Sequence, residues 1–435
     1  MDIYVVQEGD TIYSIADRYS VAVNKLIQDN GLDNPYDLVI GQTIVISYPK
    51  QSYTVQEGDT LNSIASTYNV TIMQLLRNNP FLSQRGYIYP GETIVISYDT
   101  NGTIATNGIV YPYIKKETLI KVLPNLTYLS IFNYTATEKG EIKTYDDDSE
   151  IIQIAKEYDV IPLLTVTTLT TQGEPNIEIA YNILLSDEYQ ENHINTVLGI
   201  MKAKGFYGLN IIFNYINANN QSLYENFIKK VSDRLQQEGY LFYITLNLKI
   251  ENTNNEISFE QIDYSTISEF VNGMIFIQLV WGTNLGPPSP VSNISIIRTF
   301  IDYLVSTVSS DKIILGTTTI SYDWQLPYIP AESIAQSLTI DSAINLANSA
   351  GAIIQFDEIS QTPFFLYNQI TTGIPTQHMV WSIDARSIDA QIKLIKEYAL
   401  NGCGIWNVMI YYSQMWTIIN SQYEIVKTLP LNTNL

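Results

Sequence analysis

The chain of 435 residues contains one cysteine, Cys403, and two histidines, His193 and His378. A single thiol excludes an internal disulfide framework and a cysteine-based metal site. The two histidines stand far apart in sequence, so no metal and no cofactor is expected. Charge is also scarce: 15% of residues are charged, and 23 basic residues face 44 acidic ones for a formal net charge of −21. That balance argues against nucleic acid and anionic membranes as partners. No apolar run is long enough to cross a bilayer. The first residues lack the basic and then apolar profile of a signal peptide, so synthesis in a cytoplasm is expected. What the chain does have is 46% hydrophobic residues and 32 tyrosines. That suffices for large packed cores, and the length suggests two or three domains.

The first hundred residues contain a duplication. Val6-Gln-Glu-Gly-Asp-Thr-Ile-Tyr-Ser-Ile-Ala16 recurs as Val55-Gln-Glu-Gly-Asp-Thr-Leu-Asn-Ser-Ile-Ala65, and Gly41-Gln-Thr-Ile-Val-Ile-Ser-Tyr48 as Gly91-Glu-Thr-Ile-Val-Ile-Ser-Tyr98. Each copy predicts strand, helix, helix, strand. Asp10 or Thr11, and Asp59 or Thr60, suit an N-cap. Ile12, Ile15, Ala16 and Tyr19 then share one helix face. The repeat resembles the LysM domain, a βααβ module that binds N-acetylglucosamine polymers such as peptidoglycan and chitin. The resemblance implies two modules, 1–49 and 50–98. It places sugar between Gly9-Asp10-Thr11-Ile12 and Asn30-Gly31-Leu32 in the first, and between Gly58-Asp59-Thr60-Leu61 and Asn79-Pro80-Phe81 in the second. The same Gly, Asp and Thr residues also have turn and cap duties that need no ligand.

Residues 99–108 are polar and turn-rich and are expected to be a linker. Beyond them, apolar strand-like runs alternate with amphipathic helices over 109–435. That alternation predicts a parallel α/β sheet and suits a (β/α)8 TIM barrel with insertions, although period alone leaves a doubly wound sheet open. The Asp146-Asp147-Asp148 run is expected to be a solvated loop.

The stretch Lys204-Gly-Phe-Tyr-Gly-Leu-Asn-Ile-Ile-Phe-Asn-Tyr215 resembles the fourth-strand signature of family 18 glycoside hydrolases, D-G-x-[DN]-x-D-x-E. Further segments in family order are Trp281-Gly282, Tyr322-Asp-Trp-Gln-Leu-Pro327, Gln355-Phe-Asp-Glu358, Asp384-Ala-Arg386 and Gly404-Ile-Trp406. The form it is most similar to is the spore cortex-lytic N-acetylglucosaminidase type, with two LysM modules ahead of the barrel. Cleavage in the family is substrate-assisted. The sugar's N-acetyl oxygen attacks the anomeric carbon, a Glu protonates the leaving oxygen, an Asp two residues earlier orients the acetamide, and a Tyr follows the sixth strand. On this chain those positions fall on Asn214, Ile212 and Leu279, with Tyr207 and Asn210 at the two earlier carboxylate positions. An amide has no transferable acidic proton near neutral pH. Trp406 matches the family's aromatic sugar floor, and Trp281, Tyr322, Asp323 and Trp324 match positions near the cleft mouth.

The expectation from sequence is therefore a non-catalytic, hydrolase-like protein. It would hold peptidoglycan or another N-acetylglucosamine-containing glycan in the spore envelope as a structural or anchoring component, with itself or other envelope proteins as further partners. Two readings compete with it. One is an active spore cortex N-acetylglucosaminidase with its acid displaced to Asp323, Asp357, Glu358 or Asp384. The other is a self-assembling spore-surface or crystal protein in which neither site holds sugar.

Overall fold

The computed structural model of the chain describes residues 1–168, 176–213, 216–247, 250–253, 256–259, 262–277, 286–371 and 374–427. In the first module, strand Asp2–Val5 pairs antiparallel with Thr43–Ile46 around helices Ile12–Tyr19 and Val23–Asn30. In the second, Gln51–Thr54 pairs with Thr93–Ser97 around Leu61–Tyr68 and Ile72–Asn78. Thr11 and Thr60 are the N-caps, each locked in a reciprocal capping box with Ser14 or Ser63. The small cores are the residues that the repeat shares, such as Ile15, Leu26 and Ile44 in one and Ile64, Leu75 and Ile94 in the other.

Eight parallel strands close into a barrel: Thr103–Val110, Tyr128–Ala136, Ile161–Thr167, Gly208–Phe213, Leu241–Asn247, Gly273–Ile277, Ile313–Thr318 and Gly402–Trp406, with the first two pairing to shut the ring. Seven of these strands correspond to apolar runs in the sequence. The first does not, and it takes in most of the stretch expected to be a linker, leaving 99–102 between module and barrel. Its polar residues are satisfied inside the fold: Thr106 Oγ1 donates to the Asn125 carbonyl at 2.6 Å, and Asn107 bonds Ser130 at 3.0 Å. The acidic run also differs from expectation. Asp148 is fully buried, accepting from the Tyr134 hydroxyl at 2.5 Å and from Asn133 at 3.1 Å, and pairing with Lys204.

Between the seventh and eighth barrel strands the chain builds an antiparallel sheet of five strands, in the order Gln336–Thr339, Ile320–Gln325, Ile374–Trp381, Thr362–Thr371, Gln355–Asp357. Helix Ile340–Ser349 packs beside it. Both LysM modules dock on the helix Ser413–Gln422 that follows the last barrel strand. Gln414 Nε2 donates to Asn30 Oδ1 at 2.9 Å and to the Thr43 carbonyl at 2.6 Å. Thr417 Oγ1 donates to the Asp29 carbonyl at 2.9 Å, Asn420 Nδ2 to the Arg77 carbonyl at 3.2 Å, and Arg77 pairs with Glu424.

Candidate active site

Alternate residues of a strand share a face, and the fourth barrel strand obeys this. Leu209, Ile211 and Phe213 point into the large core under the helices. Asn210 points into the barrel, where its Nδ2 donates to Ser130 Oγ at 3.1 Å and its Oδ1 accepts from Thr245 Oγ1 at 2.9 Å. With Asn107 these groups form a neutral network at the level where the family signature has carboxylates. Ile212, two residues on, is 2% exposed. Tyr207 is half-buried just before the strand, with the Lys156 ammonium 5.2 Å from its ring centroid. Asn214, Leu279 and Trp281 lie outside the described residues.

The open space is at the mouth, past the ends of the last two barrel strands. A cavity of about 260 Å³ is lined there by Trp406 and Asn407 from one strand end, Thr318 and Thr319 from the other, and Asp341 and Tyr412. Trp406 closes the eighth strand opposite Thr318. Phe132 meets its ring edge-on at 5.8 Å, Tyr111 lies 5.1 Å from Phe132, and Tyr113 stacks on Tyr111 at 5.5 Å and is 69% exposed. The result is an aromatic run leading from the mouth to solvent, of the kind on which pyranose rings stack. Among the described residues lining this cavity, Asp341 is the one carboxyl. It keeps solvent contact, yet burial among its neighbours raises its pKa, with the charge of Asp33 as the second cause.

The other candidate carboxylates have structural partners. Asp323 is 7% exposed within the inserted sheet, accepting from the Tyr367 hydroxyl at 2.7 Å and lying 3.1 Å from His378 Nδ1. Its neighbours Tyr322 and Trp324 are buried, and the Trp324 indole donates to the Gly286 carbonyl at 2.9 Å. Asp384 caps helix Ala385–Glu397 and pairs with Arg386. Asp357 accepts from the Ser360 backbone at 2.7 Å, and Glu358 is exposed in the next turn. None of these lines the Trp406 cavity.

In the LysM modules the residues named from sequence divide into two kinds. Ile12 is fully buried. Asn30 and Asn79 are buried, with both ends of each amide bonded to backbone, Asn30 to Val45 and Asn79 to Val95. Asp10 and Asp59 accept from Tyr4 and Tyr53 at 2.6 and 2.8 Å. Gly31 packs on Ser413, whereas Leu32, Leu61, Pro80 and Phe81 stay part-exposed and Gly9, Thr11, Gly58 and Thr60 exposed. Sequence reasoning missed the exposed aromatics beside them. Tyr13, in the first turn of helix Ile12–Tyr19, and Tyr36, in the loop after the second helix, stack at 6.1 Å in the first module. In the second, the Arg85 guanidinium sits over Phe81, Tyr87 and Tyr89. The available signal was the high tyrosine content within turn segments.

The family description "Glycosyl hydrolases family 18" matches residues 109–409, and "LysM domain" matches 4–47 and 53–97. The chain belongs to glycosyl hydrolase family 18. Within this family it is similar to the cortical fragment-lytic enzyme of Bacillus subtilis (strain 168), 33% identical over 98% of this chain and 99% of that one. It is 30% identical to a putative sporulation-specific glycosylase of the same organism, over 95% and 96% of the two chains. Among solved structures, the Bacillus megaterium spore cortex-lytic enzyme SleL superposes with a TM-score of 0.79 at 32% identity, covering 98% of this chain and 99% of that one. The sequence expectation of a non-catalytic glycan holder is overturned by these relatives, which match over nearly the whole chain and are named as lytic enzymes or glycosylases. That expectation tied the proton donor to one strand, whereas a barrel mouth is built from many loops, each able to supply a carboxyl.

Proposed function

We propose that the chain is a glycosidase that cleaves the amino-sugar glycan of the bacterial spore cortex, with the LysM pair holding the polymer. The observation that carries this reading is its end-to-end correspondence, modules and barrel together, to cortical fragment-lytic enzymes. The chemistry belongs to the substrate-assisted class, in which the N-acetyl oxygen attacks the anomeric carbon as the glycosidic C–O bond breaks. With an amide at position 214 and an alkyl group at 212, the leaving oxygen must draw its proton from another group. Asp341 is that group in our reading. It lines the same cavity as Trp406, and burial among its neighbours raises its pKa, the direction that suits a general acid. The carboxylate left behind then takes a proton from the water that opens the cyclic intermediate.

Mass analysis of products from purified cortex fragments tests both parts. Wild type should release fragments ending in N-acetylglucosamine, and Asp341→Asn should be slower by about 10²–10⁴-fold. A silent wild type would overturn the glycosidase reading. An Asp341→Asn variant at wild-type rate would leave that reading standing and remove Asp341 from it.

A further inference from the structure

The barrel-mouth cavity does not end at Asp341. Asp341 and Tyr412 line it on one side and, on the other, line a second and more polar groove. One wall of that groove is helix Ile340–Ser349, presenting Asn345 and Asn348. The opposite wall is the loop between the second helix and second strand of the first LysM module, presenting Asp33, Asn34 and Asp37. The two walls are fixed to each other. Asn348 Nδ2 donates to Asp37 Oδ2 at 2.7 Å, and the Ile354 amide donates to the Ile40 carbonyl at 3.0 Å. Val39 is buried among Ala343, Ala347 and Phe365 of the inserted domain. Tyr36, between Asn34 and Asp37 in sequence, is exposed and stacks on Tyr13. The second LysM module differs at the corresponding turn: an added Cβ at Gly91 meets no described atom within 4 Å, whereas at Gly41, its counterpart, it meets the Ile354 carbonyl.

We propose that this composite groove is a glycan-binding site joining the barrel mouth to the first LysM module, so that one polymer chain lies across Trp406, between Asn345 and Asn34, and onto Tyr36. It rests on the glycosidase reading for the identity of the polymer. The side chains fit a hydroxyl- and acetamide-bearing sugar, since amides and carboxylates can accept from hydroxyls and the amides can also donate. Two carboxylates along the path, Asp33 and Asp37, select for a neutral N-acetylated stretch over one carrying free carboxyl groups. Sites joined on one rigid frame act as a multivalent pair, so affinity should depend on ligand length.

The test uses the full chain with sulfur-linked oligosaccharides of N-acetylglucosamine, which resist cleavage, titrated calorimetrically. The hexasaccharide should bind at least about tenfold more tightly than the disaccharide. Asn345→Trp fills the groove from an exposed helix position. It should bring the hexasaccharide down to the disaccharide's affinity while leaving disaccharide binding unchanged. Asn34→Trp, exposed on the facing loop, repeats the blockade from the other wall. Equal affinity for both lengths, or hexasaccharide binding that both Trp variants leave intact, would overturn the site. Product release from cortex fragments reads the glycosidase activity separately, so a failure of one proposal is distinguishable from a failure of the other.

Discussion

A carboxyl that the folded chain protonates more readily than the unfolded chain weakens the fold wherever it is ionised. Asp341 is such a group, with a pKa raised from 3.8 by burial first and Asp33 second. Its contribution is neutral at pH well below 3.8 and becomes unfavourable as pH rises through that value and the folded pKa. Asp341→Asn should therefore raise the thermal midpoint at pH 7, and the gain should vanish in strong acid; an equal gain at both pH values would contradict the shift. A variant both more stable and less active would also rule out unfolding as the cause of lost turnover. At this scale the sequence was only partly legible. Asn210 and Trp406 could be placed because strand parity and a family motif fixed them. Asp341 could not, because Asp33 and the Trp406 cavity reach it only through tertiary contact, and its own surroundings look like any exposed first turn of a helix.

The repeat supplies an internal control at the level of elements. Gly41 and Gly91 precede corresponding strands at φ of +87° and +90°, so alanine at either meets the same left-handed penalty of about 1–2 kcal/mol. Only at Gly41 would the new Cβ also fall on backbone, 1.9 Å from the Ile354 carbonyl oxygen. Gly41→Ala should lower the thermal midpoint more than Gly91→Ala does, and limited proteolysis should cut the first module free more readily. Equal losses would mean that the contact with the inserted domain holds little. The helices of both modules were readable from their apolar spacing, and their caps to within a residue, Asp10 or Thr11 and Asp59 or Thr60; the structure has Thr11 and Thr60, boxed with Ser14 and Ser63. The barrel strand Thr103–Val110 was not readable. Thr106 and Asn107 find partners in Asn125, Thr127 and Ser130, so a largely buried strand carries the composition of a loop.

The whole molecule carries a net charge of −21. Any glycan with free carboxyl groups approaches it against this field, which salt screens over about 8–10 Å at physiological strength. Affinity for carboxyl-bearing cortex fragments should rise as salt goes from low to physiological, while that for neutral N-acetylglucosamine oligomers stays flat; parallel titrations in both buffers measure it. The fold class, a barrel behind two βααβ modules, was visible in the order of motifs along the chain. The docking of those modules onto the barrel was not, because the hydrogen bonds that make it join residues several hundred positions apart in sequence.

That docking has a consequence for how the protein comes into being. The modules span residues 4–47 and 53–97, while the helix that receives them, Ser413–Gln422, is synthesised long after both. Domains fold as units while the ribosome is still working. Each module has its own closed core and emerges able to fold, yet its binding partner does not exist for several hundred residues more. During that interval the Asp29 and Arg77 carbonyls lack the bonds that Thr417 and Asn420 give them, and the wall of the composite groove is missing. A nascent chain can therefore carry finished LysM folds without the groove beside them, and the arrival of Gln414, Thr417 and Asn420 completes the docking.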